Sequence, residues 1–179
     1  MTDGRQLLLL RHGKAAFASG LVDVERPLVE RGERDAEAVG RWLRDAEVRP
    51  DLVLCSTARR ARQTWDAVAS GLGAWTEVRY DERVYRAEAD ELLDIVRETD
   101  EGVGSLLIVG HNPTLQRVAF ALTEAERLGE GYPSGSLARV SVDELWVTVG
   151  PGTCGLADFV PPPAPERGRR AQQLYPRGL

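Results

Sequence analysis

The sequence predicts an α/β fold: one layered domain with a mostly parallel sheet and helices on both faces. Short apolar runs without polar alternation read as strands buried on both faces, which is how strands of a parallel sheet read. Segments with apolar residues every three or four positions lie between those runs, and such alternation of strand and helix is the pattern of a layered α/β domain. The 179 residues carry 42% hydrophobic content and no internal repeat, enough for one core and one active site.

The first run, Gln6 to Leu10, stops at Arg11. Its four leucines are too few for a signal core or a membrane span, so a soluble, cytoplasmic protein is expected. Ala36, Val39 and Leu43 mark the first helix. Leu52 to Leu54 form the next strand, and Ala61, Trp65 and Val68 the helix after it. Leu92, Leu93 and Val96 give a third helical face, followed by the strand Leu106 to Val109. Leu115, Val118, Ala119 and Leu122 give a fourth, and Pro113 suits its first turn because proline lacks an N–H that would be unpaired there. Leu137 to Val142 reads as a further strand of the same buried kind. Gly150, Gly152 and Gly155 then mark a turn before a last strand, Leu156 to Val160. The expected domain spans residues 1–160. Residues 161–179, rich in Pro and Arg and without an apolar period, read as a mobile tail of net charge +3.

The net charge of -5 argues against a nucleic-acid binder, whose footprint is a basic face. Any anion site must be built from a few local cations. Cys55 and Cys154 are expected as reduced, buried thiols. A cysteine-phosphatase loop needs five residues between cysteine and arginine, but Ala61 stands at that place after Cys55 and Arg60 comes one position early. Two histidines and no clustered carboxylate spacing give no metal-ligand set, and no cofactor is expected.

The chemistry-bearing residues gather at presumed strand ends, where open α/β sheets bind ligands. His12 lies in Arg11-His12-Gly13-Lys14. Its imidazole can attack phosphorus while the arginine grips two phosphate oxygens. Gly13 permits close backbone approach, and a carbonyl nearby can hold the other ring N–H so that the attacking nitrogen keeps its lone pair. At the next strand end stands Ser56-Thr57-Ala58-Arg59-Arg60-Ala61-Arg62-Gln63-Thr64. Residues 60 and 64 share one helical face while 59 and 62 point elsewhere, so one arginine reaches inward. His111, in Gly110-His111-Asn112-Pro113, sits where a strand meets a helix start. A protonated imidazole there is awkward without a bound anion, which suits a donor to a phosphoryl group.

Taken jointly, Arg11-His12-Gly13, Ser56 with Arg60-Ala61 and Gln63-Thr64, and Gly110-His111 resemble the histidine phosphatase superfamily in order and spacing. The short length, Arg11-His12-Gly13-Lys14-Ala15, the stretch from Arg26-Pro27-Leu28 through Glu30-Arg31-Gly32, and Gly110-His111-Asn112-Pro113 resemble its SixA-type phosphohistidine phosphatases. One departure is Thr57, where the family often has proline; it changes the stiffness of the turn more than its charge. The resemblance implies that His12 is a covalent nucleophile and that Arg11, Arg60 and His111 form a phosphate pocket. It implies hydrolysis of phosphohistidine on a protein, with a small phosphate ester as the alternative substrate; the net charge and the short apolar run leave no nucleic-acid or membrane partner expected. The rival from another class is a phosphoprotein-binding module that turns nothing over; retention of both histidines favours the enzyme. Glu82, in Tyr80-Asp81-Glu82-Arg83-Val84-Tyr85, is the candidate general acid, with a solvated surface position as its other reading. Gly13, Lys14, Arg26 and Ser136 are the candidate substrate contacts. Oligomeric state leaves no signal in the sequence.

Overall fold

The computed structural model describes residues 4–17 and 20–164. Six strands form one sheet: β1 (Arg5–Arg11), β2 (Leu52–Ser56), β3 (Glu77–Asp81), β4 (Ser105–Gly110), β5 (Leu137–Val142) and β6 (Gly155–Val160). Their spatial order is β3-β2-β4-β1-β5-β6. The strands β1 to β4 pair in parallel, β5 pairs antiparallel with β1, and β6 pairs antiparallel with β5. Five helices accompany them: α1 (Glu30–Asp45), α2 (Arg59–Leu72), α3 (Glu82–Arg86), α4 (Ala89–Arg97) and α5 (Thr114–Thr123).

Successive strand side chains alternate between faces, so the leucine run of β1 feeds two cores at once. Leu8 and Leu10 join Val53, Leu107 and Val109 beneath α1 and α2, against Ala36, Val39, Leu43, Trp65 and Val68. Leu7 and Leu9 join Ile108 on the opposite face, against Leu92, Leu93, Leu115 and Val118 of α4 and α5. The four leucines are fully buried, and each contributes about 1.5–3 kcal/mol of transfer free energy. The continuous apolar spelling of β1 and β4 is the consequence of cover on both faces.

The structure adds to the sequence reading or departs from it in four places. β5 pairs antiparallel with β1 although its apolar run reads like the parallel strands. The segment between α5 and β5, with its 3-10 turn Glu126–Leu128, carries the chain back to the end of the sheet where β1 finishes, so β5 starts there and runs the other way. Polar residues 77–81 form an edge strand, whose exposed face needs no apolar period. Asp81 accepts a hydrogen bond from the Arg83 amide at 2.8 Å and so begins α3 directly after β3. Both cysteines are free, but Cys154 is only half-buried; Cys55 is buried, and burial foremost pushes its thiol up to about 12. No helix among the described residues is long and apolar enough to cross a membrane. Of the expected tail, residues 161–164 are described, with the Pro163 carbonyl accepting from Arg31 at 3.1 Å, and residues 165–179 lie outside the described set.

Candidate active site

The sheet order places the C-terminal ends of β2, β4 and β1 side by side. Arg11 pairs with Gly110 and Cys55 with Val109, so the residues that follow these strands emerge together. His12 and His111 thereby meet, their ring centroids 5.1 Å apart. The His12 amide donates to the Gly110 carbonyl at 3.0 Å, which ties the two strand ends together.

The His12 ring is fixed in one useful tautomer. Its Nδ1 lies 2.7 Å from the Gly13 carbonyl oxygen, which can only accept, so Nδ1 carries the proton and Nε2 the lone pair. Arg60 Nε donates toward that Nε2 at 3.3 Å. Burial above all, then the charges of Arg60, Arg11 and Arg26, push the imidazole down to about 4 against the opposing Gly13 hydrogen bond. Such a ring stays neutral and nucleophilic at ordinary pH.

Gly13 is needed for packing. A Cβ there would lie 2.6 Å from the Gly32 carbonyl oxygen at the start of α1. The Gly13 amide donates to Thr64 Oγ1 at 3.0 Å, and that hydroxyl donates to the Arg60 carbonyl at 2.7 Å. With amide and carbonyl both engaged, Gly13 holds the His12 ring; a direct substrate contact, as the sequence reading has it, would need one of those bonds to open.

Arg60 is the hub. Its side chain is 7% exposed, whereas Arg59 and Arg62 are exposed, as the shared face of residues 60 and 64 implies. Arg60 donates from one terminal nitrogen to the Asp23 carbonyl at 2.6 Å and from the other to Asp23 Oδ2 at 2.8 Å. The second nitrogen also lies 3.4 Å from His111 Nδ1. His111 Nε2 stands 2.8 Å from Ser56 Oγ, which caps the turn before α2 by accepting from the Ala58 amide at 3.2 Å. Burial chiefly, with the charges of His12, Arg60 and Arg11, pushes His111 down to about 3, against the opposing pull of Asp23. His111 is therefore neutral with Nδ1 accepting from Arg60, where the sequence reading has a protonated donor. An arriving phosphoryl dianion supplies the charge that favours protonating it.

Arg11 donates to the Tyr132 carbonyl at 2.7 Å, and its Nε is buried with no partner among the described residues. Ser136 is fully buried; its carbonyl accepts from the Arg11 amide at 3.0 Å and its Oγ has no partner among the described residues. Ser136 thus braces Arg11 through the backbone. Lys14 is exposed. Arg26 donates to the Ala16 carbonyl at 2.9 Å and to Asp23 Oδ1 at 3.0 Å. Glu82 is not brought to the histidines. The Asp81 cap starts α3 directly at Glu82, and there the exposed Glu82 carboxylate pairs with Arg86 at 2.7 Å.

Two contributors, Asp23 and Tyr85, escape the sequence reading, and a third, Thr64, is read there only as sharing the helical face of Arg60. Asp23 pairs with Arg60, Tyr85 packs edge-on to His111 with centroids 5.4 Å apart, and Thr64 anchors Gly13. The Asp23-to-Arg26 spacing of three was the available signal for Asp23, and the face shared with Arg60 was the signal for Thr64. Among the described residues no group of three or more His, Cys, Asp or Glu is arranged to hold a metal.

The depressed imidazoles give a direct expectation. Both rings should remain neutral from pH 8 down to about 5 in the free protein, as read by the pH dependence of their NMR resonances; a midpoint near 6.5 for either would contradict this environment. Because the unfolded chain binds these protons near 6.5 and the native state only well below, stability falls as pH drops below 6.5 toward 4.

Comparisons with known proteins agree with this geometry. Residues 7–92 match the sequence profile of the histidine phosphatase superfamily, branch 1. An uncharacterised protein of Mycobacterium tuberculosis is 38% identical over 158 residues, which cover 84% of this chain and 98% of the relative. The phosphohistidine phosphatase SixA of Escherichia coli is 27% identical over 141 residues, covering 78% of this chain and 86% of that protein. A solved structure from Nakamurella multipartitia, assigned as a phosphohistidine phosphatase SixA, superposes with a TM-score of 0.80 at 31% identity, covering 90% of this chain and 98% of that one.

Proposed function

The chain belongs to the histidine phosphatase superfamily, on its SixA-type branch, and we propose that it hydrolyses phosphohistidine on a protein through a phosphoryl intermediate on His12. His12 Nε2 attacks phosphorus in line, and the bond from phosphorus to the substrate imidazole breaks as the new one forms. Arg11, Arg60 and His111 stabilise the charge on the transferring oxygens. Water then attacks the phosphoryl group on His12, releasing inorganic phosphate and restoring the neutral ring.

One observation carries the choice of substrate. Among the described residues, the carboxylate that touches this constellation, Asp23, is held ionised, and Glu82 is exposed elsewhere. Burial would raise the Asp23 pKa, but hydrogen bonds from Arg26, Arg60 and Tyr85 and the charge of Arg60 hold it well below the usual carboxylate range. Expelling an alkoxide requires a proton, and lack of a positioned acid costs roughly 10²- to 10⁴-fold. An imidazole leaves far more readily near neutral pH. This favours phosphohistidine over alkyl phosphates, in keeping with what the Escherichia coli relative is named for.

The test compares kcat/KM for a phosphohistidine peptide and an alkyl phosphate. A preference for the nitrogen-linked substrate of at least about 10²-fold is expected. A wide preference for the ester would overturn the substrate assignment, and tight phosphate binding with no turnover of either would favour a binding module.

A further inference from the structure

Asp23 lies in the 3-10 turn Asp23–Glu25, outside the sheet that carries His12 and His111. Its Oδ2 accepts from Arg60 at 2.8 Å and from the Tyr85 hydroxyl at 2.9 Å, and its Oδ1 accepts from Arg26 at 3.0 Å. The Asp23 side chain is 50% exposed against 7% for Arg60, so the carboxylate stands on the solvent side of the guanidinium. Arg60 therefore has His12 at its Nε and Asp23 at its terminal nitrogens.

In-line transfer sends the leaving group out on the side of phosphorus opposite the nucleophile. With Arg60 gripping the phosphoryl oxygens, that exit leads from His12 toward Asp23. We infer that Asp23 sets leaving-group specificity: its carboxylate accepts the ring N–H of a departing imidazole and repels leaving groups that carry negative charge. This rests on the phosphohistidine reading above. The three donors around Asp23 make it a fixed negative charge and not a proton source, so it discriminates by attraction and repulsion. A phosphorylated imidazole departs most easily with its second nitrogen protonated, and a neighbouring carboxylate favours that form. An aryl group bearing its own carboxylate meets a like charge at the same place.

The experiment measures kcat/KM for phosphoimidazole, phenyl phosphate and carboxyphenyl phosphate with wild type and Asp23→Asn, which keeps size and an acceptor for Arg60 while removing the charge. Relative to phenyl phosphate, the variant should lose about tenfold on phosphoimidazole and gain about tenfold on carboxyphenyl phosphate, each the effect of about 1.4 kcal/mol. Asp23→Glu, which keeps the charge, should hold the wild-type order and shows that the turn tolerates substitution. An equal loss on all three substrates would make Asp23 only a brace for Arg60 and overturn the inference. If wild type fails on phosphoimidazole while Asp23→Asn still gains on carboxyphenyl phosphate, the phosphohistidine reading falls and the charge filter stands.

Discussion

Replacing His12 with alanine should abolish turnover, by a factor on the order of 10⁴ to 10⁶, while phosphate and vanadate still bind within a few-fold of wild type. The expectation follows from a division of labour in the site. The Nε2 lone pair, held in place by the Nδ1 hydrogen bond to Gly13, is the group able to bond to phosphorus. Anion attraction comes from Arg11, Arg60 and His111, none of which depends on His12 for its main anchor: Arg11 is held by Tyr132, Arg60 by Asp23 and His111 by Ser56. Steady-state rates beside calorimetric binding of vanadate check both halves. Near-normal rates in His12→Ala, or loss of binding in a protein that is still folded, would break the division.

Arg60→Ala should cost nearly as much, about 10³- to 10⁵-fold in kcat/KM, the range typical of an arginine that stabilises a transferring phosphoryl group. Arg59→Ala and Arg62→Ala should stay within a few-fold of wild type, because both side chains are exposed on other faces of α2. Arg60→Lys should rescue little, since a single ammonium cannot reach His12, the two oxygens of Asp23 and a phosphoryl group from one fork. Equal losses across the three alanine variants would show that the helix register places no single arginine inward.

The burial of the strands on both faces and the meeting of the histidines were legible because both rest on local pattern. An uninterrupted run such as Leu7 to Leu10 is compatible with burial on both faces, and residues that follow such runs lie at sheet ends by construction. The inward turn of Arg60 was legible from helical spacing to Thr64. The direction of β5 was not, because apolar content does not record which way a strand runs beside its neighbour. Asp23 and Tyr85 escaped notice for a different reason. Each reaches the site from a short turn or helix at its margin, where no period marks an inward side chain, and the partners that bring them there, Arg60 for Asp23 and His111 for Tyr85, are distant in sequence. Glu82 misled because a carboxylate after a polar stretch looks available, whereas the Asp81 cap starts a helix and turns Glu82 toward Arg86.

The central claim is that phosphorus passes through a covalent bond to His12. Brief reaction with a radiolabelled phosphoryl donor, an alkaline quench and peptide mapping tests it directly. The label should sit on His12, stable in alkali and lost in acid. Label on Cys55 or on a serine would contradict the account, as would turnover that persists in His12→Ala.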